Sequence, residues 1–250
     1  MKRLVFLVLL VVLGLVILLF FPKRAPKHTA WPSPEDLARV TRPLRPLAES
    51  SLQEFRGMVD TNDFQDLGFE TIEEARSATL AEPLVVYRIT LATLRDWQTN
   101  RTTDDLLDAS SKVIYPVAAD GQVRSSIILQ NARGRWEASD YGYASLATLL
   151  ADARQRVAKD ARLPFGQLFA VEVRALNRFF IGHRPGAQAF LTPVVSEPAL
   201  SLDAGQPLPA AEALARLVPL ARSQRGYPGE APVPKSRPRV VRPAGTNLAR

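Results

Sequence analysis

The spacing of apolar positions changes several times along the chain, and each change predicts an element. From Leu4 to Phe21 there is no spacing at all: eighteen residues, LVFLVLLVVLGLVILLFF, carry no polar side chain. As a helix they span roughly 27 Å, close to the roughly 30 Å hydrocarbon core of a bilayer. A helix satisfies its own backbone hydrogen bonds where lipid offers none. Lys2 and Arg3 precede the stretch, Lys23, Arg24 and Lys27 follow it, and Phe20, Phe21 and Trp31 suit an interfacial exit. It reads as a retained, single-pass signal-anchor over residues 1–21. A cleaved secretory signal fits less well, because its apolar core is about 7–15 residues and ends in a small-x-small site. This run instead enters Pro22-Lys23-Arg24.

Residues 22–60 read as a proline-containing spacer followed by membrane-proximal helices. Four prolines lie between Pro22 and Pro34, the makeup of a short stiff spacer. Ser33-Pro34-Glu35-Asp36 is a helix start, with a capping serine, proline at the first position and carboxylates at the positive end. Leu37, Val40, Leu44 and Leu47 form a partial apolar face that Pro43 and Pro46 divide. Leu52, Phe55 and Met58 continue at helical spacing. The pair is either a stalk or helices packed on the domain that follows.

Residues 61–226 predict an α+β fold, antiparallel β-meanders packed with helices. Thr71 with Glu74 three residues on is a capping-box pattern, predicting a helix to about Leu80 that Pro83 closes off. Leu84–Thr90 has strand composition, and Leu91–Trp97 suits helix or strand. Val113, Tyr115 and Val117 alternate with their neighbours, Asp120-Gly121 makes a hairpin turn, and Val123, Ile127 and Leu129 return. A second turn at Asn131–Gly134 leads to a short strand at Arg135–Glu137. Asp140 then reads as the cap of a helix from Tyr143 to Lys159, with Leu146, Leu149, Leu150, Ala153 and Val157 on one face. Leu168–Val173 and Arg178–Ile181 read as strands, Arg184-Pro185-Gly186 turns into Ala187–Val195, and a helix bent at Pro219 covers Pro209–Ser223. The helices LATLLADARQR and LARLVPLARSQR each follow a run of strands. An internal repeat accounts for that, as does the chance likeness of Leu/Ala/Arg helices. Residues 227–250 hold five prolines and scattered arginine, the makeup of a basic disordered tail.

Charge changes the picture only once it is located. The chain has 32 Lys and Arg against 25 Asp and Glu, a formal charge of +7. Residues 1–28 hold five of the basic residues and no acid; residues 230–250 hold five more with Glu230 alone opposing them. That leaves 22 basic and 24 acidic residues between, so the middle of the chain is nearly neutral. A basic folded face, the footprint of a nucleic-acid binder, is not predicted. Lys23, Arg24, Lys27, Lys235, Arg237, Arg239 and Arg242 are instead candidate contacts with an anionic surface. The absence of cysteine excludes thiol catalysis, cysteine–zinc sites and lipid attachment through cysteine. Arginine outnumbers lysine 26 to 6, a hint of a GC-rich bacterial genome.

No catalytic, metal or cofactor motif is legible. There are two histidines, His28 in the basic flank and His183 in FFIGHRPG, too few and too far apart for a histidine metal site. No G-x-S-x-G elbow accompanies His183, and neither phosphate-loop pattern occurs. The neighbouring acids Glu73-Glu74 and Asp104-Asp105 suit helix starts, and Trp136, Tyr141 and Tyr143 form the densest aromatic cluster, read as packing before groove. The expectation is a non-catalytic domain held at the inner membrane through Leu4–Phe21, facing outward because a short N-terminal tail stays inside. Its partner is an envelope protein, a ligand or an anionic polymer. The alternatives are a hydrolase built around His183 and a cytoplasm-facing tail that binds nucleic acid.

Overall fold

The computed structural model describes residues 28–60, 63–98, 102–104 and 106–224. The anchor stretch Leu4–Phe21, the cations Lys23, Arg24, Lys27, Lys235, Arg237, Arg239 and Arg242, and the tail 227–250 lie outside the described residues.

The run Leu84-Val85-Val86-Tyr87 is apolar at every position and buried at every position, the pattern of a strand covered on both faces. This strand, β3 (Leu84–Arg88), lies at the middle of one sheet. On one side it pairs antiparallel with β4 (Leu107–Ala119), which continues through hairpins into β5 (Gln122–Ala132) and β6 (Arg135–Gly142). On the other side it pairs in parallel with β7 (Phe169–Val173), Val86 opposite Ala170. From β7 the sheet continues antiparallel through β8 (Arg178–His183), β9 (Phe190–Pro193) and β10 (Leu208–Pro209). Two short strands, β1 (His28–Thr29) and β2 (Thr79–Leu80), pair with opposite ends of β4. The fold is therefore α+β with a large, mostly antiparallel sheet. The two meanders are halves of one sheet, and the parallel β3–β7 pair joins them.

Alternation along the strands divides the helices between the faces. Val85, Tyr87, Val113, Tyr115 and Phe169 face a core shared with α1 (Pro34–Thr41), α2 (Arg45–Met58), α4 (Leu91–Asp96) and α6 (Ala210–Ser223). Leu84, Val86, Ile114, Ala170 and Ile181 face the other way, onto Leu150, Ala153 and Val157 of α5 (Ala144–Ala161). The order strand, short helical turn, meander, helix thus occurs twice, from β3 to α5 and from β7 to α6, with the closing helices on opposite faces.

Local chemistry explains most boundaries. Ser33 caps α1 through its hydroxyl, which accepts from the Asp36 N–H, while the Asp36 carboxylate accepts from the Ser33 N–H at 3.1 Å. Pro43 falls in a 3-10 turn between α1 and α2, and Pro46 in the first turn of α2, where no backbone donor is lost. These helices pack on the domain: Trp31, Leu37, Leu44, Ala48, Leu52 and Phe55 are buried in the main core. Of the two readings open for this stretch, stalk or packed helices, the packed one holds. Asp120 and Gly121 both take positive φ, as the tight β4–β5 hairpin requires.

Three boundaries differ from the sequence reading. The helix after Thr71, α3 (Ile72–Ser77), stops early because residues 79–80 pair with β4. The third meander strand runs to Gly142, so Asp140 lies in β6 opposite Ile128 and does not cap α5. Its carboxylate instead accepts from the Tyr141 N–H, and α5 starts after Tyr143, held in the left-handed region. Only Phe190–Pro193 of the expected 187–195 segment is strand.

Candidate functional site

The residues that sequence alone singled out are not brought together. His183 is a buried β8 residue stacked on Phe190, ring centroids 5.5 Å apart, and its Nδ1 has no partner among the described residues. Burial holds its imidazole below the ordinary value, so it stays neutral at pH 7. Glu73 is exposed while Glu74 is buried, with Arg124 Nε donating to it at 2.7 Å. Asp104 is exposed and Asp105 lies outside the described residues. Tyr141 stacks on Phe55 of α2 at 5.8 Å and Tyr143 is exposed, so the aromatic cluster is spread between core and surface. Among the described residues no group of three or more acidic or histidine side chains is arranged to hold a metal ion, and no helix is long and apolar enough to cross a membrane.

What the fold does create is a cleft of about 860 Å³ between α5 and the end of the sheet where β4 turns into β5. The cause is local. The first half of α5 presents Ala144, Ser145, Ala147, Thr148 and Ala151, side chains too small to fill the space above Pro116, Ala118 and Val123. Leu84, Ile114 and Leu150 continue the apolar floor inward. Its volume lies within the range usual for small-molecule sites.

At the inner end of the cleft lies Arg154, 4% exposed. Nη1 donates to the Glu82 carbonyl at 2.7 Å, and Nη2 donates to those of Pro83 at 2.9 Å and Phe165 at 2.8 Å. The guanidinium carbon sits 4.9 Å from the centre of the Phe165 ring, a cation–π contact. Nε has no partner. Burial pushes the guanidinium pKa down to about 10. The two buried acids differ sharply: Glu74 meets Arg124 and Glu172 meets Lys112, each at 2.7 Å. Among the described residues Arg154 is a buried cation within reach of carbonyls but in no contact ion pair.

Sequence reasoning passed over Arg154, although its spacing carried a signal. It lies four residues after Leu150 and three before Val157, on the inward stripe of α5.

Each end of the described chain is tied to an element at the other end of the sheet. His28 pairs with Asp108, which also pairs with Arg88 at the end of β3. Three residues beyond Arg88 begins α4, whose Arg95 donates from Nε to the Ala221 carbonyl at 2.6 Å and from Nη2 to that of Gln224. Pro116 on the cleft floor is eight residues along β4 from Asp108, about 26 Å at roughly 3.3 Å per residue. No family model, no curated protein and no solved structure matches this chain.

Proposed function

We propose that the chain is a single-pass, membrane-anchored domain on the outer face of the inner membrane that works by contact with a ligand or protein, without catalysis of its own. The observation that carries this is the position of the chain's ends. Only six residues separate Phe21 from His28, which is already paired with β4. In this reading a bilayer-inserted Leu4–Phe21 keeps the β1 end of the sheet within about 20 Å of the head groups, with the α5 cleft directed away from them. Gln224, where the basic C-terminal segment departs, is at the same membrane-side end. In this reading Lys23, Arg24, Lys27, Lys235, Arg237, Arg239 and Arg242 serve one anionic surface, each cation near it contributing about 1 kcal/mol.

The hydrolase alternative has less support, since His183 is buried and, among the described residues, its Nδ1 has no hydrogen-bond partner. The test is topology. A reporter active only outside the cytoplasm, fused after Arg250, is expected to be active, and protease added to spheroplasts is expected to digest the domain. A cytoplasm-active fusion with a protected domain rejects the outward-facing reading and favours nucleic acid as the tail's partner. In that case binding falls steeply with salt and disappears on deleting residues 231–250.

A further inference from the structure

The cleft under α5 pairs an apolar floor with a buried cation that is in no contact ion pair among the described residues, the Glu82 carboxylate acting on it only at longer range. A buried charge is costly unless paired, and each of the other buried charges among the described residues is an acid with its own cation. The bonds Arg154 does make, to the carbonyls of Glu82, Pro83 and Phe165, neutralise none of its charge. They do hold the guanidinium in one orientation, so a ligand need not order it. Its Nε–H is closed off from solvent and has no partner among the described residues, and a carboxylate against the guanidinium is the group that supplies the missing charge. Arg124, the other cation lining the cleft, is already held by Glu70 and Glu74. Glu82 and Asp152 at the exposed rim disfavour a ligand with several negative charges.

We propose that this cleft binds a small amphiphilic monocarboxylate, its apolar part on Leu84, Ile114, Pro116 and Leu150 and its carboxylate against the guanidinium of Arg154. The proposal deepens the contact reading above by naming the ligand class, and it does not depend on which side of the membrane the domain faces.

The test uses the full chain in nanodiscs of zwitterionic lipid, with 4-phenylbutyrate and its neutral amide as probes and calorimetric titration as readout. The carboxylate is expected to bind about tenfold or more tightly than the amide, the usual scale of a charge-assisted bond. Arg154→Met is expected to erase that preference. Because Arg154 also ties residues 82–83 and 165 to α5, this variant risks misfolding, so Ala151→Phe provides a second arm. It fills the cleft from the half-buried face of α5 while keeping the Arg154 side chain itself, and is expected to abolish binding of both probes while the far-ultraviolet spectrum is unchanged. Equal binding of acid and amide, binding retained in Ala151→Phe, or no binding of either probe by the wild-type chain each overturns the proposal. None of these outcomes bears on the topology test.

Discussion

Gly182 shows how closely single residues are fitted in this sheet. A Cβ added there would meet the Phe169 ring at 2.3 Å. Phe169 is fully buried between Trp31 at 6.0 Å and Tyr87 at 5.7 Å, centroid to centroid, so it has nowhere to move. Gly182→Ala is expected to lower stability by about 1–3 kcal/mol, the usual cost of overpacking, as a reduced urea midpoint with unchanged slope. Glu74 is a buried acid whose charge is held by Arg124. Burial pushes its carboxyl up, but the Glu70 N–H and Arg124 outweigh burial and hold it below the ordinary value of 4.5. With a depressed folded value, its stabilisation is complete above the unfolded value and is lost as pH falls through the folded one. Stability should therefore decline as pH drops below about 4.5. Glu74→Gln is expected to be less stable at pH 7 and to show a shallower acid decline in thermal melts. An identical acid limb in both proteins would remove Glu74 from this role.

At the scale of elements, caps and turns decide where helices begin, and the strongest cap is testable alone. Ser33→Ala removes the hydroxyl acceptor of α1 and should cost about 1 kcal/mol. Because Leu37 carries α1 into the main core, the loss should appear in global unfolding by denaturant and not as local fraying. Ser33 and the Asp120-Gly121 turn were legible in sequence because each acts within three or four residues. Asp140 misled for the same reason. An acidic residue before an apolar-periodic run has the local look of a cap, whereas its role is set by Ile128 across the β5–β6 pair. The joining of the meanders was also invisible, since Val86 and Ala170 are brought together only by the whole fold. The cleft falls between these cases. The small residues of α5 and the inward spacing of Arg154 are visible in the chain, but the carbonyls of Glu82, Pro83 and Phe165 that fix its guanidinium come from other segments.

At the scale of the molecule, the question is which end of the sheet looks toward the bilayer. The main core runs through both halves of the sheet and includes residues from Trp31 to Ala221, so the domain should keep its orientation relative to β1 as one body. With β1 joined to the proposed anchor by six residues, depth above the membrane should increase along β4 from Asp108 toward the β4–β5 turn. The chain contains no cysteine, so single introduced thiols report without background. Asp96→Cys on α4 and Asp120→Cys at the hairpin tip sample the two ends; the first lies at the exposed end of a short helix, and the second sits in an exposed turn at the modest strain of a non-glycine residue with positive φ. With a donor dye on each thiol and acceptor-labelled lipid in nanodiscs, transfer should be strong from position 96 and weak from position 120, a height difference on the order of 25 Å from the strand rise. Equal transfer from the two positions would mean the sheet lies flat on the bilayer, with the cleft beside the head groups. Stronger transfer from 120 would invert the molecule and direct the cleft at the membrane.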